Sequence, residues 1–304
     1  MRLFASIFLL VFVATGNAFA GGLKIAKVSD GVYAIVGPKS QRSPENLANN
    51  ATFGLVVTSD GAVLMDTGGS YQGAAALHAA MKTVTKQPVK VVINTGGQDH
   101  RWIGNGYWKE KGARIITSQA ALADHKDRGS MQMTMLDALI KDKLDKTNPV
   151  FADETFAESH SFSLGGVAFE IHHKGQAHTP GDSFVWLPQT KVMFTGDIVY
   201  VERLAGVGPM SNAGSWIKVF EAMAAFKPKY LVPGHGGVSD LKRARKETYD
   251  YLVALRKKMA AHIENGGGMI GSVNVDQTAF SHLENFAELA KRNAQQVFAE
   301  MEFE

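Results

Sequence analysis

The chain has 304 residues, with 32 Lys and Arg against 29 Asp and Glu, a formal net charge of +3 and no cysteine. Near-neutrality gives no electrostatic case for a nucleic-acid partner. The missing thiols exclude disulfides, cysteine nucleophiles and cysteine-ligated zinc or iron–sulfur centres, so any metal must be held by His, Asp or Glu.

The first twenty residues, MRLFASIFLLVFVATGNAFA, combine Arg2, an apolar run from Leu3 to Val13 and a small-x-small ending at Ala18 and Ala20. This is the layout of a secretory signal peptide, and the run is too short to span a bilayer. Cleavage after Ala20 predicts a periplasmic or secreted mature chain of 284 residues starting at Gly21, with no membrane attachment and, without Arg2, a formal charge of +2. The sequence carries no sign of the oligomeric state. That length suits one large domain or one domain with an appendage, and no internal repeat is visible.

From Gly21 to about Asp66 short apolar runs alternate with turns, and Asp60-Gly61 between two of them signals a β-hairpin. SYQGAAALHAAMKTVT then has helical composition, and VKVVINT reads as a strand buried on both faces. A second round follows: GNGYWKEKG as helix, ARIITS as strand, and a helical stretch from Ala120 to about Lys143. Strands resume at HSFSLGGVAFEIHH, DSFVWLP and KVMFTGD, followed by a helix from Ser215 to Ala225 and the strand KYLVPGHGG. Two series of strands, each with helices interspersed, predict two sheets packed face to face under helices. From Ser239 one long amphipathic helix is expected up to Gly266-Gly267-Gly268, and QTAFSHLENFAELAKRNAQQVFAEMEFE predicts another. The expected division is a signal peptide over 1–20, a domain over 21–238 and a helical extension over 239–304 that caps the sheet core.

Three places put a potential metal ligand just past an apolar strand: GQAHTPGD with His178 and Asp182, VMFTGD with Asp197, and YLVPGHGG with His235. A strand end followed by a glycine turn lets a side chain project over the sheet edge, where several can converge. Neutral imidazole and carboxylate suit zinc, iron or manganese. A lone His or Asp at a strand end is more often a cap or turn former. The joint occurrence in this order carries the information.

In that order, from about Gly31 to Gly237, the motifs resemble the metallo-β-lactamase superfamily. The resemblance implies an α+β fold, a four-layer αβ/βα sandwich, here with a C-terminal helical extension. It implies that Asp66, in GLVVTSDGAVLMDTGGS, supports the metal loop from behind, that His178 and His235 are ligands, and that Asp197 is the carboxylate able to bridge two ions. GDIVYVERL, the Trp216 helix, PKYLVPGHG and the tail RNAQQVFAEMEFE are similar to an exported metallohydrolase-like branch associated with quinoprotein and sulfur-oxidation systems.

The departure is INTGGQDHRWIGN, where the family expects Thr-His-x-His-x-Asp-His followed by Gly-Asn. Aligned without gaps, Gly96 and Gln98 replace the two leading histidines, His100 takes the aspartate position and Arg101 the last histidine. His100, His178, Asp197 and His235 are then enough for one ion and not for a two-metal clamp. A register slipped by one keeps the Asp99-His100 pair, so that Asp99, His100, Asp197 and His235 rebuild the second site, with His178 alone in the first. The ungapped register is preferred because it needs no compensating insertions between strand and helix. Gln98 and Asp99 then offer an oxygen ligand or a partner for a ring nitrogen. Arg101 either supports the loop, meets a carboxylate or sulfur oxyanion of the substrate, or is structural.

His172 and His173 read as strand-end residues, and Met131, Met133 and Met135 as packing or a lid. Tyr200, Glu202 and Arg203 read as pocket wall. No serine-hydrolase elbow, phosphate-binding glycine loop or His-Glu-x-x-His helix is present. The expectation is an exported hydrolase of a small ester, amide or thioester, holding one zinc ion in preference to two, with iron as the alternative metal and Asp99 or Asp197 orienting the attacking water. The competing expectation is a non-catalytic binding or accessory protein. The changes at Gly96 and Gln98 favour the second; retention of His178, Asp197 and His235 favours the first.

Overall fold

Alternation along the strands builds the layers. In β3 (Thr52–Thr58) and β4 (Gly61–Met65), Phe53, Leu55, Ala62 and Leu64 face one core while Val56, Val63 and Met65 face another. Period-two side-chain direction thus lets one sheet separate two apolar layers. The computed structural model describes residues 20–304, so the predicted signal peptide, apart from Ala20, lies outside the described residues.

Strands β1 (Lys24–Ser29), β2 (Val32–Val36), β3, β4, β5 (Val89–Ile93), β6 (Arg114–Ser118) and β7 (Glu154–Phe156) form a seven-stranded sheet in chain order. Its first four strands are antiparallel; β4 to β7 run parallel. The β3–β4 hairpin turns on Ser59 and Asp60, one residue earlier than the Asp-Gly pair suggests. Gly61, at φ +138°, already pairs with Thr58. The second sheet holds β8 (Ser159–Leu164), β9 (Val167–His173), β10 (Ser183–Leu187), β11 (Val192–Phe194) and β12 (Tyr230–Val232), in the order β12-β11-β10-β9-β8.

The sheets pack face to face through Val63, Met65, Ile93 and Ile116 on one side and Ile171, Val185, Leu187 and Phe194 on the other. Helices α1 (Tyr71–Met81), α2 (Asp99–Trp102), α3 (Asn105–Glu110) and α4 (Gln119–Ile140) belong to the first half. Leu77 of α1 and Trp108 of α3 pack against the outer face of the first sheet. Ser70 and Ser118 cap α1 and α4 by accepting from Gly73 N and Ala121 N. Helix α5 (Ala213–Ala224), capped by Asn212, covers the second sheet through Trp216, Val219 and Phe220. The result is the expected helix–sheet–sheet–helix sandwich.

Beyond β12 the expected long helix is interrupted. After α6 (Leu241–Ala244) the turn Arg245–Tyr249 is π-helical, and α7 (Asp250–Glu264) follows. The wide turn sets Thr248 and Glu247 against the segment after Asp197: Thr248 Oγ1 accepts from Tyr200 N at 2.9 Å and donates to Tyr200 O at 2.6 Å, and Glu247 Oε2 accepts from Glu202 N at 2.6 Å. The second expected helix is shorter than its sequence pattern. After α8 (Met269–Ser272), α9 spans only Phe286–Met301, because Glu284 is pinned to an extended segment by Leu204 N→Glu284 O and Glu284 N→Glu202 O, and Asn285 is left-handed at φ +61°.

Leu255 of α7 and Leu289, Val297 and Phe298 of α9 share one buried cluster with Trp216 and with Phe184 of the second sheet. Phe298→Ala is expected to lower unfolding free energy by about 3–5 kcal/mol, while Phe303→Ala, at a position 88 % exposed, should leave it within about 0.5 kcal/mol. Urea denaturation of the two variants provides the comparison.

Candidate metal centre

The site sits where strand ends of both sheets meet. Asp66 follows β4, the Asn94–Asn105 segment follows β5, Asp197 follows β11 and His235 follows β12. Buried Asn94 and Asn105 exchange side-chain amide hydrogen bonds at 3.0 Å, which closes the INTGGQDHRWIGN segment around α2. Asp66 adopts φ +68°, a strained conformation for a residue with a side chain, and its carboxylate accepts from Thr95 N at 2.7 Å and Thr95 Oγ1 at 2.9 Å.

Arg101 is fully buried at the centre, and each of its five N–H groups is satisfied. Nε and Nη2 grip Asp197 at 3.1 and 2.7 Å; Nη1 reaches Asp66 at 2.8 Å and Thr52 O at 3.1 Å; Nη2 also reaches Gly234 O at 3.0 Å. Burial alone would lower the arginine pKa, but Asp197 and Asp66 outweigh it and hold it raised. With no donor left over, Arg101 is a structural bridge, and the expectation that it meets a substrate anion does not fit this geometry.

His100, Asp197 and His235 form the one group of potential metal ligands found among the described residues, with one donor atom from each lying within 4.8 Å of the others. His235 Nε2 stands 3.1 Å from Asp197 Oδ1, and His100 Nε2 3.4 Å from Asp197 Oδ2, too far and too poorly aimed for a hydrogen bond. Burial would raise the Asp197 carboxyl, but Arg101 and then His100 hold it well below the usual carboxylate range. Two imidazoles, a locked carboxylate and an unpartnered buried His100 Nε2 fit a divalent ion of the zinc or iron type.

The far nitrogens of both rings face arginines. Arg42, in the β2–β3 connection, puts Nη2 at 3.2 Å from His100 Nδ1, and Arg203 puts Nη1 at 3.1 Å from His235 Nδ1. A guanidinium only donates, so His235 Nδ1 accepts and that ring carries its proton on Nε2, toward Asp197, whereas His100 Nδ1 stands between the Arg42 donor and, also at 3.2 Å, the acceptor Asp99 Oδ1. Burial and the Arg203 charge keep His235 well below its ordinary pKa, hence neutral.

The other candidate residues take different places. His178 lies outside the tight group; its Nδ1 donates to Gly206 O at 2.8 Å, which leaves Nε2 as its acceptor, and its ring stands near Tyr200 and Trp216. Asp99 turns to Arg42 and to the His100 backbone N–H, and is no member of the group. Gln98 stands before α2 without a capping bond. Asp182 takes two hydrogen bonds from Thr179 and fills the space beside Gly96: a Cβ at residue 96 would lie 2.2 Å from Asp182 Oδ1. A Cβ at Gly97 would collide with the Asp124 carboxylate, which pairs with Arg128. Neither glycine position has room for a side chain of any kind. Sequence reading missed Arg42 and left Arg203 without a role; the Gly-Gly pair was the available sign that carboxylates approach this loop.

A family model described as Metallo-beta-lactamase superfamily matches residues 48–235, well over half of the chain. The chain belongs to the metallo-beta-lactamase superfamily. A superfamily structure, a metallo-beta-lactamase from Pontibacter korlensis, superimposes with a TM-score of 0.62 at 25% identity, over 76% of this chain and 99% of that one. Curated type 2 metallo-beta-lactamases are similar too: one from Bacteroides fragilis is 24% identical over 51% of this chain and 57% of its own length, and one from Pseudomonas aeruginosa is 26% identical over 41% and 50%. The chain thus spans about half the length of the curated relatives it matches.

Two outcomes test the centre without any substrate. Arg101→Met leaves Asp66 and Asp197 buried without their cation and is expected to cost about 3–5 kcal/mol in urea unfolding. Arg101→Lys should not restore it, because an ammonium cannot present the five-donor fork. The second outcome concerns Asp182, whose carboxyl is pushed up to about 8 by burial and by the neighbouring Asp197 charge, from an ordinary 3.8. The folded state therefore holds a proton that the unfolded chain releases across that window, so stability from this group falls as pH rises from about 4 to about 8 and then levels. Asp197, held low, acts in the opposite sense and only in acid. Asp182→Asn should flatten the slope between pH 4 and 8; an unchanged slope in thermal unfolding would contradict the assignment.

Proposed function

We propose that this chain is an exported, metal-dependent hydrolase, periplasmic or secreted, that holds a single ion at His100, Asp197 and His235 and acts on a small ester, amide or thioester. The observation that supports it is the convergence of these three donor atoms within 4.8 Å around a carboxylate that Arg101 keeps ionised. An ion held there supplies Lewis acidity and makes water nucleophilic at neutral pH.

The chain's own residues supply the rest. Arg101 fixes Asp197 in one orientation, so that its unshared oxygen lone pairs face the two rings. Holding an ion through Nε2 would place each ring's proton on Nδ1, where His100 can donate to Asp99 Oδ1 while His235 can no longer accept from Arg203. Asp197 is the carboxylate best placed to orient a nucleophile, since Asp99 is engaged by Arg42. His178, half-buried with Nδ1 held by Gly206, presents Nε2 beside Tyr200 and serves as the hydrogen-bond acceptor for a reacting group. Zinc is the first choice of metal. The two-histidine, one-carboxylate donor set also suits ferrous iron, which is the second reading.

Metal content by mass spectrometry on protein purified without chelator decides between the enzyme and a non-catalytic binding or accessory protein. About one equivalent of zinc or iron is expected, lost in a His100→Ala/His235→Ala variant. Absence of metal in the wild-type chain, even after incubation with Zn²⁺ or Fe²⁺, would favour the accessory role.

A further inference from the structure

The end of the first sheet away from the metal centre carries a hollow of its own. Asn94, where β5 ends, opens the segment that carries His100; Pro88 and Val89 stand at the start of β5, roughly 15 Å away along the strand. Around them the last turn of α1, the connection behind it and the end of α3 enclose a cavity of about 430 Å³. That volume falls within the range of small-molecule sites, about 300–1,000 Å³.

The lining has two parts. Met81, Val89 and Trp108 are buried and make the floor apolar. Lys82, Lys86 and Lys111 are exposed around it; no Asp or Glu lines the cavity, and none of the three lysines forms an ion pair among the described residues. Glu110, the chain neighbour of Lys111, is engaged by the Tyr71 hydroxyl at 2.6 Å. Lys82 and Lys111 each end a helix, where a cation offsets the dipole. The dipole accounts for those two charges singly. It does not account for Lys86, or for an uncovered apolar floor among three cations.

His78 joins the two parts. Its ring packs against Trp108 with centroids 5.3 Å apart, and Nδ1 meets the Tyr107 hydroxyl at 2.7 Å. Lys111 Nζ is held 4.6 Å above the Tyr107 ring, beside the same histidine. Burial and then the Lys82 and Lys111 charges hold His78 below its ordinary pKa, so both ammonium groups act on the ring and it stays neutral at neutral pH. The cavity therefore offers an apolar surface, a neutral imidazole and three positive charges, which together are complementary to a molecule with an apolar body and an acidic head.

We propose that this cavity binds a small amphipathic organic anion whose apolar body covers Met81, Val89 and Trp108 and whose acidic group lies among Lys82, Lys86 and Lys111. An ammonium is a compact point charge without a planar fork, so the negative charge and the apolar body select the ligand, not the geometry of its acid. The site is separate from the metal centre and stands independently of the hydrolase reading.

The test is calorimetric titration of the purified chain with 2-naphthoate, beside 2-naphthylmethanol as the neutral body and sodium acetate as the acid without a body. Saturable binding of 2-naphthoate is expected, at least about tenfold tighter (~1.4 kcal/mol) than that of either comparison compound. Lys82→Gln/Lys111→Gln should weaken it at least about tenfold. Lys90→Gln, at an exposed position of β5 outside the cavity, should leave it unchanged, and so should His100→Ala/His235→Ala. Absence of saturable binding, equal affinity for 2-naphthylmethanol, or wild-type affinity in the double lysine variant overturns the site. Loss of binding in the double histidine variant with retention in the lysine variant would put the anion at the metal centre and overturns it as well.

Discussion

The site depends on one buried guanidinium. Asp66 and Asp197 come from strand ends of different sheets, and two carboxylates brought together out of water would repel each other and draw protons. Arg101 makes their approach favourable and also takes the carbonyls of Thr52 and Gly234, so four chain segments are fixed by one planar group. The joint between the two sheets at this edge is therefore polar, while the rest of their interface is apolar. A hydrophobic contact could hold the sheets together but would not fix the direction of Asp197.

From that fixed carboxylate the remaining geometry follows. Its two oxygens set where the His100 and His235 rings point, and Arg203 settles which nitrogen of the His235 ring carries the proton. On the opposite side Asp182 and Asp124 press against Gly96 and Gly97, where only hydrogens fit. At these two glycines the space is filled by hydrogen-bonded carboxylates. In the proposed reading this is the physical form of a single-ion centre: one half of the pocket is packed by carboxylates, and the other keeps its donors.

The layers were legible in the sequence because apolar alternation and strand-end glycines are local signals. VKVVINT, DSFVWLP and KVMFTGD each fall on a strand, and the helices from Tyr71 and Ala213 begin next to Ser70 and Asn212, as capping chemistry suggests. The helices after Ser239 were misjudged because amphipathic periodicity cannot register a π turn, nor the backbone pairing that holds Glu284 extended. At the site, Asp197 and His235 were picked from strand-end position and His100 from the resemblance to the family motif, and the structure brings the three together. His178 satisfies the same rule yet stands apart, because position along a strand does not determine where a side chain converges. Arg42 was invisible: it lies in a polar connection without periodicity, and only the tertiary approach to Asp99 gives it a place.

The π-helical turn at Arg245–Tyr249 has a bearing on how the chain divides. The family match stops at residue 235, yet Glu247 and Thr248 hold the backbone of Tyr200 and Glu202, the two residues bracketing the run that leads to Arg203. The homologous unit and the mechanical unit therefore have different borders. A domain excised at the homology border would keep every candidate ligand but lose the struts behind one wall of the site. Substitutions in a helical segment outside the shared domain thus have a direct route to the geometry of Arg203, which bonds His235, and divergence there can retune the site without altering any residue of the common motifs.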